Sequence, residues 1–266
     1  MNLTRIYAIF IRQVFLLRGN PVRLIAVFLW MFLDIILWGF ISKYLSTFGA
    51  ATFSFVNVVL GAIILWDFFG RTMQGVMTAF LEDIWTQNFI NFFTSPLQVK
   101  EYVAGLVTTS LVTGLIGFLA MVLLAGLFFG FNVFKIGLII LPFMLILFIF
   151  GVAMGIFMTA LILRFGPSAE WLGWPIPFAL SVFAGVFYPL SNLPASLRSI
   201  SKVIPASYVF ESLRGLSGGM TPAVLTANFF IGLILAVIYL VIMYLFLIMI
   251  YRRNLKNGRL SRFSAE

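Results

Sequence analysis

Between residues 224 and 251 the chain carries no formal charge and reads almost without interruption as leucine, isoleucine, valine, phenylalanine, methionine, alanine and tyrosine. At about 1.5 Å per helical residue such a run outreaches the roughly 30 Å hydrocarbon core of a bilayer. Backbone polar groups find no water there and must be satisfied within the segment, so the run predicts a membrane-spanning helix. Comparable runs cover residues 24–45, 53–80, 103–131 and 136–163. Composition agrees: 62% of the residues are hydrophobic and 9% charged, far from the balance of a soluble domain. The 266 residues include neither cysteine nor histidine. That removes disulfides, thiolate nucleophiles, histidine bases and most zinc, copper or haem ligation.

The net charge of +9 is concentrated at the chain ends rather than along an aromatic-studded face, which argues against a nucleic-acid partner. Arg5, Arg12, Arg18 and Arg23 precede the first apolar run, and Arg252, Arg253, Lys256, Arg259 and Arg262 follow the last. By the positive-inside rule both tails are expected in the cytosol. No small-residue cleavage pattern follows a short apolar core, so a cleavable signal peptide is not expected. Two tails on one side require an even number of crossings. The sixth is assigned to residues 172–190, "LGWPIPFALSVFAGVFYPL", with Pro175 and Pro177 near its start, where proline is tolerated.

The expected fold is thus all-α: one polytopic membrane domain over residues 1–266, with about six transmembrane helices. Residues 1–20 form an interfacial amphipathic helix, with Arg5 and Arg12 on one face, that either anchors the chain or takes part in gating. Residues 81–102 and 164–170 fall in the cytosol. Residues 191–223 fall outside and carry Arg198, Lys202 and Arg214 against a single Glu211, a departure from the charge rule. Two short outer helices, "NLPASLRSI" and "SYVFESLRGL", separated by Pro205 and ended by Gly218 and Gly219, account for that segment.

Four features are candidates for function. In "LEDIWTQNFINFFTSPLQVKEYVAG", Leu81, Ile84, Trp85, Phe89 and Phe92 share one helical face, while Asp83, Gln87, Asn91 and Thr94 share the opposite one until Ser95-Pro96. Such a helix either docks a partner through its polar face or is a passive connector. Within the membrane, Asp34, Asp67 and Arg71 fall at similar depths, as an ion network pinning spans one and two or as a gate. "GLFFG" (Gly126, Gly130) and "GVAMG" (Gly151, Gly155) are close-packing signatures. Aromatic residues crowd the fifth span and its edges, Phe183, Phe187 and Tyr188 among them, as interfacial anchors or as pathway lining. No lysine follows a glycine, so a phosphate-cradling loop is missing and the chain is not an ATPase by itself.

The arrangement of parts resembles the membrane permeases of type-2 ATP-binding-cassette (ABC-2) exporters over nearly the whole chain. "FAGVFYPLSNLPASLRSISKVIPASYVFESLRG" is similar to that family's pattern, here through Tyr188, Pro189, Leu190, Pro194, Pro205, Tyr208 and Arg214. "FFTSPLQVKEYVAG" resembles the serine-proline segment between the family's second and third spans. Ile204 stands where asparagine is expected before the proline, leaving the subfamily open.

The resemblance implies a non-enzymatic half-transporter in a bacterial cytoplasmic membrane, one of two copies enclosing a pathway. Two ATPase subunits would bind ATP and Mg, with no cofactor in this chain. It also implies a coupling helix carrying Glu82, Asp83, Gln87, Asn91 and Pro96, and an exit lined by Phe183, Phe187, Tyr188, Pro189 and Tyr208. Cargo would be a lipid-linked glycan, lipid or drug. Three alternatives stand beside it: an ion-coupled carrier using Asp34 and Asp67, a lipid-acting membrane enzyme built on Glu82, Asp83 and Glu101, and a noncatalytic anchor for a partner complex.

Overall fold

A computed structural model describes residues 1–19, 21–46, 53–86, 95–133, 137–217 and 219–257, and no strand occurs among them. The long helices are α1 (Leu3–Arg18), α2 (Pro21–Ser46), α3 (Phe53–Trp85), α4 (Val99–Phe129) and α5 (Ile140–Phe165). Three short helices follow, α6 (Pro175–Ala184), α7 (Ala195–Ser201) and α8 (Pro205–Ser217), before the longest, α9 (Pro222–Lys256). Helices α4, α5 and α9 are each long and apolar enough to cross a membrane.

Local chemistry sets the helix ends. The Asn2 side chain accepts the Thr4 N–H at 3.0 Å and opens α1. The Gln98 N–H donates to the Glu101 carboxylate at 3.2 Å, holding the first turn of α4. Gly130 (φ +65°) and Gly185 (φ +67°) take the left-handed conformation that ends α4 and α6. Gly130 therefore terminates a helix rather than packing against one. The "GLFFG" expectation fails because its second glycine lies past the last helical residue.

Side-chain pairs establish the direction of each helix. Antiparallel packing of α3 on α4 brings Phe68 to Phe118 (ring centroids 6.0 Å) and lets the Ser110 hydroxyl donate to the Thr72 carbonyl at 2.6 Å. Helix α5 runs parallel to α3: Phe150 stacks on Phe69, and Gly151 and Gly155 seat on Thr72 and Val76. A Cβ at Gly155 would lie 2.8 Å from the Met73 carbonyl oxygen, so "GVAMG" is the contact by which α5 approaches α3. Helix α9 runs parallel to α5 through Phe143/Phe229, Phe150/Tyr239 and Phe157/Phe246. Near their ends the Asn254 amide donates to the Leu163 carbonyl at 2.5 Å. The innermost side chains, Phe69, Phe150, Ile146 and Leu147, are fully buried where α3, α5 and α9 meet.

Parallel α5 and α9 oblige the chain between them to return along the bundle, as the crossing parity required. The return path departs from the expected single helix over residues 172–190. It opens with a 3₁₀ stretch, Pro167–Gly173, and continues as α6, whose ten residues span about 15 Å, half a hydrocarbon core. Pro167, Pro175 and Pro177 lack N–H donors and Gly185 breaks the helix, so no continuous ladder forms. Helix α6 climbs beside α2, with Trp174 against Trp30 (6.5 Å) and Phe187 stacked on Trp38 (4.7 Å). Helices α7 and α8 then close the end of the bundle opposite α1, as expected of the two short helices. Among the described residues, α1 and the end of α9 lie at the same face.

Candidate functional site

Helix α1 lies across the end of the α3–α4 hairpin and is fastened there at three places. First, Asn2 and Arg5 converge on Glu101, at 2.8 Å from the Asn2 N–H and 3.1 Å from the Arg5 guanidinium, and Arg5 also donates to the Pro96 carbonyl at 2.6 Å. Second, Arg12 is ion-paired with Asp83, whose other oxygen accepts the Tyr102 hydroxyl at 2.5 Å. Third, the buried Gln13 amide donates to the Ala79 carbonyl at 3.1 Å. Between them, Ile9 seats on Gly105, where an added Cβ would meet its side chain at 2.6 Å. Arg5, Ile9, Arg12 and Gln13 recur at helical spacing, so one face of α1 makes all these contacts.

Three expectations for this region need correction. Asp83, placed on an outward polar face, is fully buried. Trp85, placed on the covered apolar face, is 54% exposed. No separate helix begins at residue 81: Leu81, Glu82, Asp83, Ile84 and Trp85 form the last turns of α3, and the crossing of α1 decides which of them is covered. Glu82 is half-buried and faces a crevice between helices. Pro96 sits at the hairpin turn, where its carbonyl is held by Arg5. Gln87 and Asn91 lie outside the described residues. Tyr102 and Gln13 were not singled out from sequence. The available signal was the paired spacing of Asp83 and Tyr102 around one hairpin.

Deeper in the bundle, Arg71 is ion-paired with Asp67 one turn away, and a second contact from its Nη2 measures 3.3 Å. Both side chains are 15% exposed. Asp34 of α2 lies within electrostatic range of that pair. A buried ionic group of this kind is tolerated only with its partner in place.

At the opposite end, the tyrosine-proline-leucine corner is a fastened turn. The Tyr188 hydroxyl donates to the Val182 carbonyl at 2.8 Å. Arg214 of α8 donates to the Gly185 and Val186 carbonyls and pairs with Glu211 at 3.2 Å. Glu211 in turn accepts the Leu190 N–H at 3.0 Å. Burial pushes the Arg214 pKa down from its ordinary value and the Glu211 carboxylate pulls it back up. Arg214 is thus a structural tie, which accounts for one of the cations that breached the charge rule. Pro189 precedes the short turn Leu190–Asn192, Phe183 packs at the edge of the core, and the Tyr208 hydroxyl donates to the Lys202 carbonyl at 2.9 Å. Of these exit candidates, Phe187 stacks on Trp38 of α2.

The bundle therefore has a clasp at one end, an ion cluster at mid-depth and a fastened turn at the other end. Among curated proteins no relative matches the chain. The sequence profile of the ABC-2 type transporter family matches residues 4–217, from the first turn of α1 to the last residue of α8. With four fifths of its length covered by that match, the chain belongs to the ABC-2 type transporter family, as a membrane-embedded permease component.

Proposed function

We propose that the chain is the transmembrane half of an ATP-driven exporter for amphiphilic cargo, with the end carrying α1 in the cytosol, beside a second copy and served by a separate pair of ATPase subunits. The observation that carries this reading is the clasp. The α3–α4 hairpin end, where a motor would grip, is joined to α1 by two ion pairs and a buried hydrogen bond from the Gln13 amide. Force applied at the hairpin would reach α1 and, through it, α2. Packed helices have discrete alternative arrangements, so such a push shifts the bundle between two states rather than bending it. The chain would break no bond itself, and ATP and Mg would act in the partner.

The test is purification of the full chain from membranes in mild detergent. Recovery of an ATPase with a Walker motif, stimulated by one class of amphiphile, supports the reading. Transport that needs no ATPase and collapses with the proton gradient would overturn it in favour of an ion-coupled carrier using Asp34 and Asp67.

A further inference from the structure

Helices α1, α2, α3 and α4 enclose a crevice of about 240 Å³. At about 30 Å³ per water it has room for roughly eight waters. One wall is a polar stripe of α3: Arg71, Gln74, Thr78 and Glu82, spaced so that all four share a face along roughly 16 Å of helix. The facing wall is apolar at Phe28 and Met31 of α2 and Ile116 of α4, with Thr109 and Thr113 of α4 beside them. Phe28 is 47% and Ile116 52% exposed, so the crevice opens sideways between α2 and α4 into the bilayer.

The donor inventory indicates what fills it. A guanidinium has five N–H donors. In Arg71, Nε and one donor on Nη2 are used by Asp67, leaving three, both on Nη1 included, without an acceptor among the described residues. The Gln74 amide likewise makes no hydrogen bond among them. Neither set of donors is sealed from the crevice, so a guest bearing oxygen acceptors can meet them in place of water. Charge narrows the class further. Asp34, Asp67 and Glu82 outnumber the single Arg71, which disfavours an incoming phosphate or carboxylate, while an ammonium accepts no hydrogen bond and leaves the donors of Arg71 and Gln74 unserved.

We propose that this crevice binds the uncharged, oxygen-bearing head of a single amphiphile, whose hydroxyl or ester oxygens meet Arg71 and Gln74 while its apolar part rests on Phe28, Met31 and Ile116. The amphiphile enters sideways from the leaflet on the α1 side. That it is cargo rests on the exporter reading above; the binding itself does not.

The chain has no cysteine, so one introduced thiol is a clean probe. In the full chain in nanodiscs, Thr78→Cys is labelled with a water-soluble maleimide in the presence of 1-decanoylglycerol, decanoate or decyltrimethylammonium. The expected result is labelling that 1-decanoylglycerol slows about fivefold at four times its dissociation constant, the charged analogues changing it less than about twofold. Gln74→Leu removes that protection, and Ser199→Cys, exposed on α7 at the opposite end, shows none. Thr113→Cys on the α4 wall serves as second probe if Thr78→Cys does not fold. A thiol that never labels at either position, equal protection by all three compounds, or strongest protection by the anion or the cation overturns the proposal. No ATPase takes part, so this failure leaves the exporter reading standing, and failure to recover a motor leaves the binding result standing.

Discussion

Asp83 shows how much one side chain can hold when it is taken fully out of solvent. It accepts from Arg12, 24% exposed, and from the buried Tyr102 hydroxyl, so both helices of the hairpin and α1 meet at one carboxylate. Removing one member of a buried pair strands the other charge, which is why Asp83→Ala is expected to destabilise the protein by about 3 kcal/mol. Tyr102→Phe removes one hydrogen bond to a charged acceptor and leaves the ion pair, so about 1.5 kcal/mol is expected. Thermal unfolding in detergent, followed by the emission of the six tryptophans, measures both. A double replacement, Arg12→Met with Asp83→Leu, should lose less than the sum of the two single changes, because it leaves no unpaired charge behind. Losses that add in full would mean that Arg12 and Asp83 do not act as a pair.

Helix α5 is held to α3 by surfaces that only glycine permits. A Cβ at Gly155 would meet the Met73 carbonyl oxygen at 2.8 Å and the Val76 Cβ at 2.7 Å, and backbone cannot swing aside. Gly155→Val should therefore separate the helices and destabilise by about 1–3 kcal/mol, an overpacking cost. Gly126→Ala, where a Cβ meets only the Phe131 carbonyl oxygen at 3.3 Å, should fall well below that in the same unfolding assay. The turn after α6 has a comparable dependence on one acceptor. Glu211→Ala removes the partner of the Leu190 N–H, and hydrogen exchange at that amide should quicken about tenfold if the bond contributes about 1.4 kcal/mol. Glu211→Gln keeps an acceptor there and should retain most of the protection.

For the whole molecule, helix directions make a prediction that no single element makes. Helices α3, α5 and α9 descend together while α2, α4 and α6 climb, so the hairpin end and the end of α9 share a face, and α7 lies at the other. Ser95→Cys and Lys256→Cys, placed singly in this cysteine-free chain, should react with a membrane-impermeant maleimide in inverted vesicles and not in sealed cells. Ser199→Cys should show the reverse pattern. Label reaching Ser95→Cys from outside intact cells would reverse the orientation and move the clasp away from any cytosolic motor.

The apolar runs, the cations gathered at both ends and the even crossing number followed from sequence alone, because hydropathy and bilayer thickness act on each segment independently of its neighbours. The break at Pro205 between the two short helices was equally local, whereas Gly130 and Gly185, which end α4 and α6, gave no such signal, because a glycine in an apolar run marks close packing as readily as a helix end. What tertiary structure alone decided is which side of each helix is covered. Asp83 looked outward by helical period, yet α1, some seventy residues earlier in the chain, crosses over it. Gly155 announced close packing without naming α3, and Arg214 looked like a misplaced cation until the turn after α6 supplied carbonyls to it. Burial depends on contacts between residues distant in the chain, and a pattern read along one segment contains no record of which other segment will lie against it.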